Sequence, residues 1–145
     1  MIVRLETIEG RDPGLRKTLK DATLPVEDLE DDSRSFFRGA GADGKTLGYT
    51  GIEHCEGAAL IRSVVVLPEA RGHGVGKSLT DATLRRLAPG TTVYLATTSA
   101  ASFFARPGFT VVSRAEVPAS ILSTRQLSGI CPGSATIMKL NRPPT

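Results

Sequence analysis

Tryptophan is absent from the chain, and aromatic residues make up only 5% of its 145 positions. Platforms for single-stranded nucleic acid stack bases on exposed aromatic rings, so this composition argues against one. Cysteine and histidine are scarce. Cys55, Cys131, His54 and His73 are the whole set, and they form no Cys-x-x-Cys or Cys/His cluster. A structural zinc site lacks its ligands, and no metal is expected. Two isolated cysteines fit reduced, partly buried thiols better than a disulfide framework. Long apolar runs are missing as well: Val64-Val65-Val66-Leu67 is far too short for a membrane span. The N-terminal residues lack the apolar stretch of a signal peptide, so a cytoplasmic protein with no membrane partner is expected. Charge of one sign is also modest. Eighteen Lys and Arg against fifteen Asp and Glu leave a net charge of +3, with no basic block to mark a nucleic-acid partner. The densest charged run is acidic (Glu27, Asp28, Glu30, Asp31, Asp32) and reads as a solvated face.

What is present suits one domain over residues 1–145. Apolar residues make up 40% of the chain, enough for a packed core. The hydrophobic pattern predicts a first strand over 1–8. A helix follows from Asp12-Pro13, where Asp caps free amides and Pro fits the first turn. Leu24-Pro25 ends that helix, and a short turn is expected over 26–29. Strands over 35–38 and 46–54 flank a glycine-rich turn at 39–44. The strand expected over 58–67 is the longest and almost continuously apolar, as in a strand covered on both faces. A helix over 74–87, a strand over 91–98, a short helix over 100–105 and a strand over 109–113 come next. A helix over 118–127 and a strand over 135–140 complete the pattern. The class is α/β, with an antiparallel meander first and helices threaded between strands later.

The most informative stretch is the junction of the long strand with the helix after it, Pro68-Glu69-Ala70-Arg71-Gly72-His73-Gly74-Val75-Gly76-Lys77-Ser78. Three glycines allow an anion close to the backbone. The first amides of a helix have no internal partner and carry partial positive charge, so a diphosphate fits there. Arg71 and Lys77 can add charge-assisted hydrogen bonds. The Walker spacing and the Gly-x-Gly-x-x-Gly dinucleotide spacing both fail on these residues. Arg71-Gly72-His73-Gly74-Val75-Gly76 does resemble the Arg/Gln-x-x-Gly-x-Gly/Ala coenzyme A motif of the GNAT superfamily of N-acetyltransferases, with the strand-Pro lead-in in register. Ala101-Ser102-Phe103-Phe104-Ala105-Arg106-Pro107-Gly108-Phe109 looks like that family's Ala-x-x-Phe-Tyr-x-x-x-Gly-Phe segment. The resemblance spans roughly residues 1–140. Leu60-Ile61-Arg62-Ser63-Val64-Val65-Val66 and Cys131-Pro132-Gly133-Ser134-Ala135-Thr136-Ile137-Met138 look like a narrower group, the arsenic-resistance-associated and amino-acid N-acetyltransferases.

The resemblance implies a GNAT-like mixed, mostly antiparallel twisted central sheet with helices on both faces. It implies acetyl-CoA as co-substrate, a small-molecule amine as acceptor, and leaves a homodimer open. Val64, Val65 and Val66 would line the pantetheine arm. Arg71, Gly72, His73, Gly74, Val75, Gly76 and Lys77 would hold the pyrophosphate, with Ser78 at the helix start. Thr98 and Ser99 occupy the place where the family often has a pantetheine-contacting Asn.

The pattern also breaks. Many members protonate the departing thiolate with a Tyr, and the matching residue here is Phe104, which has no proton to give. The central strands carry no carboxylate. Glu53 and Glu56 are the nearest candidates for a general base, and Glu53 is the expected catalytic residue. Arg62 lies inside an apolar strand, where a lone charge must be paired or solvated. Period-two alternation places it with Val64 and Val66, open to the cleft. Arg62, with Ser63, is therefore expected to bind an anionic group on the acceptor, an amino acid or an analogue. Pairing of Arg62 with a structural acid such as Glu53 is the competing expectation. Two further function classes stay open: a non-catalytic acyl-CoA-binding module, and an acetyltransferase acting on protein.

Overall fold

The computed structural model describes residues 3–97, 100–105, 108–124, 127 and 135–140. Seven strands form one sheet in the order β1-β2-β3-β4-β5-β7-β6. They are β1 (Arg4–Ile8), β2 (Arg34–Ala40), β3 (Thr46–Cys55), β4 (Ala58–Val66), β5 (Thr92–Thr97), β6 (Phe109–Val112) and β7 (Thr136–Leu140). All neighbours pair antiparallel except β4 and β5, which are parallel. A parallel pair needs a crossover, and helix α2 (Val75–Leu84) supplies it.

Helix α1 (Pro13–Asp21) starts where its sequence says it should: the Asp12 carboxylate accepts from the Leu15 amide at 3.0 Å, and Pro13 occupies the first turn. Its apolar stripe, Leu15 and Leu19, is fully buried with Leu29, Phe36, Tyr49 and Val65. On the opposite face Val75 and Leu79 of α2 pack with Ile52, Ile61 and Leu95, joined by Phe104 of α3 (Ala101–Ala105). Ile121 of α4 (Ala119–Leu122) covers Leu60 and Tyr94 on the α1 side of the sheet. Helices thus lie on both faces of a mixed, mostly antiparallel sheet. Of the helix expected over 118–127, Ala119–Leu122 form the single turn α4, preceded by a 3-10 turn at Arg114–Glu116; residues 125 and 126 lie outside the described residues. Among the described residues no helix is long and apolar enough to cross a membrane.

One irregularity in β4 decides which side chains meet. Tyr49 pairs with Val65 and Gly51 with Arg62, so Thr50 alone faces both Ser63 and Val64. This is a β-bulge, and its extra residue Ser63 has φ +57°. Side chains alternate across a strand, so one inserted residue exchanges the faces beyond it. Ile61 packs on the α2 side together with Val64 and Val66, whereas Val65 packs on the α1 side.

Candidate active site

Parallel pairing of β4 with β5 runs from Ala58 opposite Thr92 to Ile61 opposite Leu95. Past the bulge the two strands part, and a cleft of about 1250 Å³ opens between them. Its floor is the free edge of β4 at Val64, Val65 and Val66, with Ser63 at the start. One end is the 71–77 loop, and the other is the segment that follows α1, including Thr23, Leu24, Pro25 and Val26.

The loop end is built to receive an anion. Gly72 and Gly74 have φ +84° and +72°, a region that side chains with a Cβ rarely enter. Gly74 is the N-cap of α2, and the first helical hydrogen bond runs from the Ser78 amide to the Gly74 carbonyl at 3.2 Å. The amides of Val75, Gly76 and Lys77 are therefore the unpaired amides of the first turn and face the loop. Gly76 has a different cause: a Cβ there would stand 2.8 Å from the Phe103 ring, so α3 packs against α2 only over a bare backbone. Arg71 donates from Nε to the Val66 carbonyl at 3.3 Å, which ties the loop to the end of β4. Lys77 pairs with Asp81 at 2.7 Å one turn along the helix. His73 is exposed beside the Ala70 carbonyl. Thr98 and Ser99 lie outside the described residues.

Phe104 is buried edge-on against Phe103 and Phe109, with ring centroids 4.9 and 6.2 Å away. It lines the cleft and offers no proton there. Tyr49 and Tyr94 are both buried in the core, away from the cleft walls.

Ser63 lines the cleft, whereas Arg62 sits elsewhere than period-two alternation places it. Because of the bulge, Arg62 faces the α1 side, opposite Val64 and Val66. Its guanidinium is 3% exposed by residue and grips both oxygens of Asp28, at 2.5 and 2.7 Å. Its Nε donates to the Ser63 hydroxyl at 3.2 Å. Glu53 is also buried, with Oε1 3.4 Å from guanidinium nitrogens of both Arg34 and Arg62. Arg34 in turn bonds Asp28 at 3.0 Å. Two acids and two arginines thus form a neutral buried cluster. Glu53 is not on the cleft wall, and its lone pairs point at the two guanidinium groups instead of at a position where an amine could bind. Arg62 reaches the wall only with its donors already engaged. Asp28 was hidden in the acidic run, which otherwise reads as solvent-facing. Glu27, exposed on the cleft wall, and Lys20 at the end of α1 were likewise unmarked by any motif.

Cys55 is unpaired and half-buried, and burial, followed by the nearby Glu53 charge, pushes its thiol up from the ordinary value. Cys131 lies outside the described residues. Among the described residues no group of three His, Cys, Asp or Glu could hold a metal ion.

No curated protein matches the chain in sequence. Its fold is similar to that of N-acetylglutamate synthase from Neisseria gonorrhoeae solved with coenzyme A and N-acetyl-glutamate. That match has 16% identity and a TM-score of 0.75, over 100% of this chain and 36% of that one. A Mycobacterium tuberculosis protein solved in complex with CoA matches at 21% identity and a TM-score of 0.67, covering 97% and 98% of the two chains. A spermidine N-acetyltransferase chimera from Vibrio cholerae and hSSAT matches at 15% identity and a TM-score of 0.64, covering 98% and 100%. At these identities the likeness is one of fold. A model of the acetyltransferase (GNAT) domain matches residues 33–111, more than half of the chain, and takes in the bulged strand, the loop and α2. The chain belongs to the GNAT acetyltransferase family.

Proposed function

We propose that this protein transfers an acetyl group from acetyl-CoA to the amine of a small molecule, an amino acid or an amino-acid analogue. The observation that carries the reading is the cleft itself. It joins the free amides of α2 to the open edge of β4 and ends at the segment after α1. The diphosphate belongs at residues 72–77, where unpaired amides and the side chain of Arg71 offer positive charge. The pantetheine arm extends along the edge at 64–66, where backbone groups that do not bond to β3 can pair with it as a further strand would. With the phosphates fixed at one end, the thioester lies toward the other, and the amine enters from the side of residues 20–27.

The amine nitrogen must first lose its proton to water. Its lone pair then attacks the thioester carbon; the C–N bond forms, the C–S bond breaks, the nitrogen gives up its surplus proton to water, and the thiolate takes a proton from solvent. No side chain on the cleft wall at the position of Phe104 supplies that proton. Much of the acceleration then comes from holding a neutral amine close and aligned, and from β4 amides that polarise the carbonyl as oxyanion donors do. Glu27 and Lys20 carry opposite charges on the acceptor wall, matching an ammonium and an anionic group on one small molecule. They replace Arg62 as the source of that preference. A second reading, an acyl-CoA-binding module without turnover, is favoured by Phe104 and by the engagement of Glu53 with two arginines.

Binding is tested at Gly74. Its missing Cβ would meet nothing within 4 Å, so Gly74→Val acts through the positive φ that valine cannot hold. Calorimetry should show acetyl-CoA affinity reduced ~10-fold or more in the folded variant. Unchanged affinity would remove the cofactor assignment.

A further inference from the structure

We propose that Asp28 and Arg62 are positioning residues for the amine half of the cleft: their buried ion pair fixes the segment at 22–27 against the bulge of β4. The functional part of this inference rests on the reading of that half as the acceptor side.

Residues 22–33 connect α1 to β2 and meet the sheet at Ser33, whose carbonyl accepts from the His54 amide at 2.7 Å. They turn at 27–30 and are clamped at two adjacent residues. Leu29 is 2% exposed in the core beneath α1, and its carbonyl packs so closely on Gly10 that a Cβ there would overlap it at 1.9 Å. Asp28 is 0% exposed, with both oxygens on Arg62 and one also on Arg34. The wall of the cleft is the stretch just before this clamp. It spans from the end of α1, through Thr23 at φ +59°, to Glu27, the residue before Asp28. The floor begins at Ser63, whose hydroxyl accepts from the same guanidinium. One side chain therefore bonds both to the residue that anchors the wall and to the first residue of the floor.

Stability alone does not call for ions at this place. Two charges removed from water lose their solvation, and an apolar pair of similar volume commonly holds a core as well or better. What a guanidinium fork adds is direction, because its planar donors match the two oxygens of a carboxylate in one relative orientation. A fixed orientation is of use where a wall must stand at a set distance from a reacting atom.

The test is the paired substitution Asp28→Leu with Arg62→Met. Either change alone strands a buried charge and invites misfolding. The pair removes one charge of each sign and leaves Arg34 facing Glu53 at 3.4 Å. Melting temperature and acetyl-CoA affinity should stay near wild type, the latter within ~3-fold. Hydrogen exchange measured by mass spectrometry on the acetyl-CoA complex should speed up ~10-fold or more at 22–31, while peptides from α2 keep their protection. With the amine that wild type acetylates best in a panel of the common amino acids and spermidine, KM should rise ~10-fold or more, with a smaller change in kcat. Unchanged exchange at 22–31 in the folded double variant overturns the proposal, as does unchanged KM. If wild type acetylates none of the panel, the functional reading fails in the wild-type control, and the exchange measurement still decides whether the pair sets the wall.

Discussion

Asp28 is the residue whose environment departs furthest from what its sequence neighbours suggest. Burial by itself would raise its carboxyl pKa. The hydrogen bonds and charge of Arg62, then those of Arg34, more than reverse this, and the group titrates below the usual carboxylate range. A carboxyl depressed in the folded state adds stability above its unfolded value, near ~4, and that contribution is lost as pH falls through the folded value. Wild type should therefore lose stability on acidification from about pH 5 downward more steeply than the Asp28→Leu, Arg62→Met variant. Urea denaturation between pH 7 and pH 3 measures both slopes, and parallel slopes would show that Asp28 is not the depressed group. None of this was legible in the sequence. Glu27, Asp28, Glu30, Asp31 and Asp32 look alike as letters, and only the fold decides that Asp28 turns inward while Glu27 stays on the cleft wall. The surroundings of Glu53 are set in a related way. Its position on β3 is as expected, and its approach to Arg62 matches the competing expectation for that arginine, but no local pattern reveals that Arg34 of β2 and Asp28 converge there as well.

At the scale of elements, the strand-loop-helix unit was legible and the bulge was not. Pro68 stops the strand, and the glycines mark the loop. The start of α2 follows from the same letters, since each acts through local sterics that need no partner. The bulge at Ser63 arises from the register of β4 on β3, a long-range property, and serine gives no hint of a positive φ. A strict period of two therefore put Arg62 on the wrong face while placing the valines in the right strand. The bulge carries its own prediction. A β-branched residue strongly resists the left-handed region, at roughly 1–2 kcal/mol per residue for side chains in general, whereas glycine enters it freely. Ser63→Val should push β4 toward regular pairing, misplace 64–66, and weaken acetyl-CoA binding ~10-fold or more by calorimetry. Ser63→Gly should keep affinity within ~3-fold of wild type. Equal behaviour of the two variants would mean that the bulge does not depend on residue 63.

For the whole molecule, the sheet order brings together segments far apart in the chain. The crossover through α2 makes β4 and β5 parallel neighbours, and their divergence past Ile61 and Leu95 opens a cleft with a phosphate-type loop at one end. The loop after α1, nearly fifty residues from the glycines in sequence, closes the other end. Family and fold class could be read from the motif and the alternation of elements. The acceptor could not, because its wall is assembled from a loop without a pattern and from charges whose pairing is set by tertiary contacts. The central claim is that this cleft moves an acetyl group from acetyl-CoA to a small amine. The most direct measurement is free-thiol release from acetyl-CoA by wild type and Gly74→Val across a panel of amino acids, amino-acid analogues, polyamines and simple neutral amines, with mass spectrometry of the products. The predicted result is thiol release matched by an equal amount of N-acetylated product, greatest for amines that also carry an anionic group, and lost in Gly74→Val. Tight acetyl-CoA binding with no thiol release on any amine would contradict it and leave an acyl-CoA-binding module in place of an enzyme.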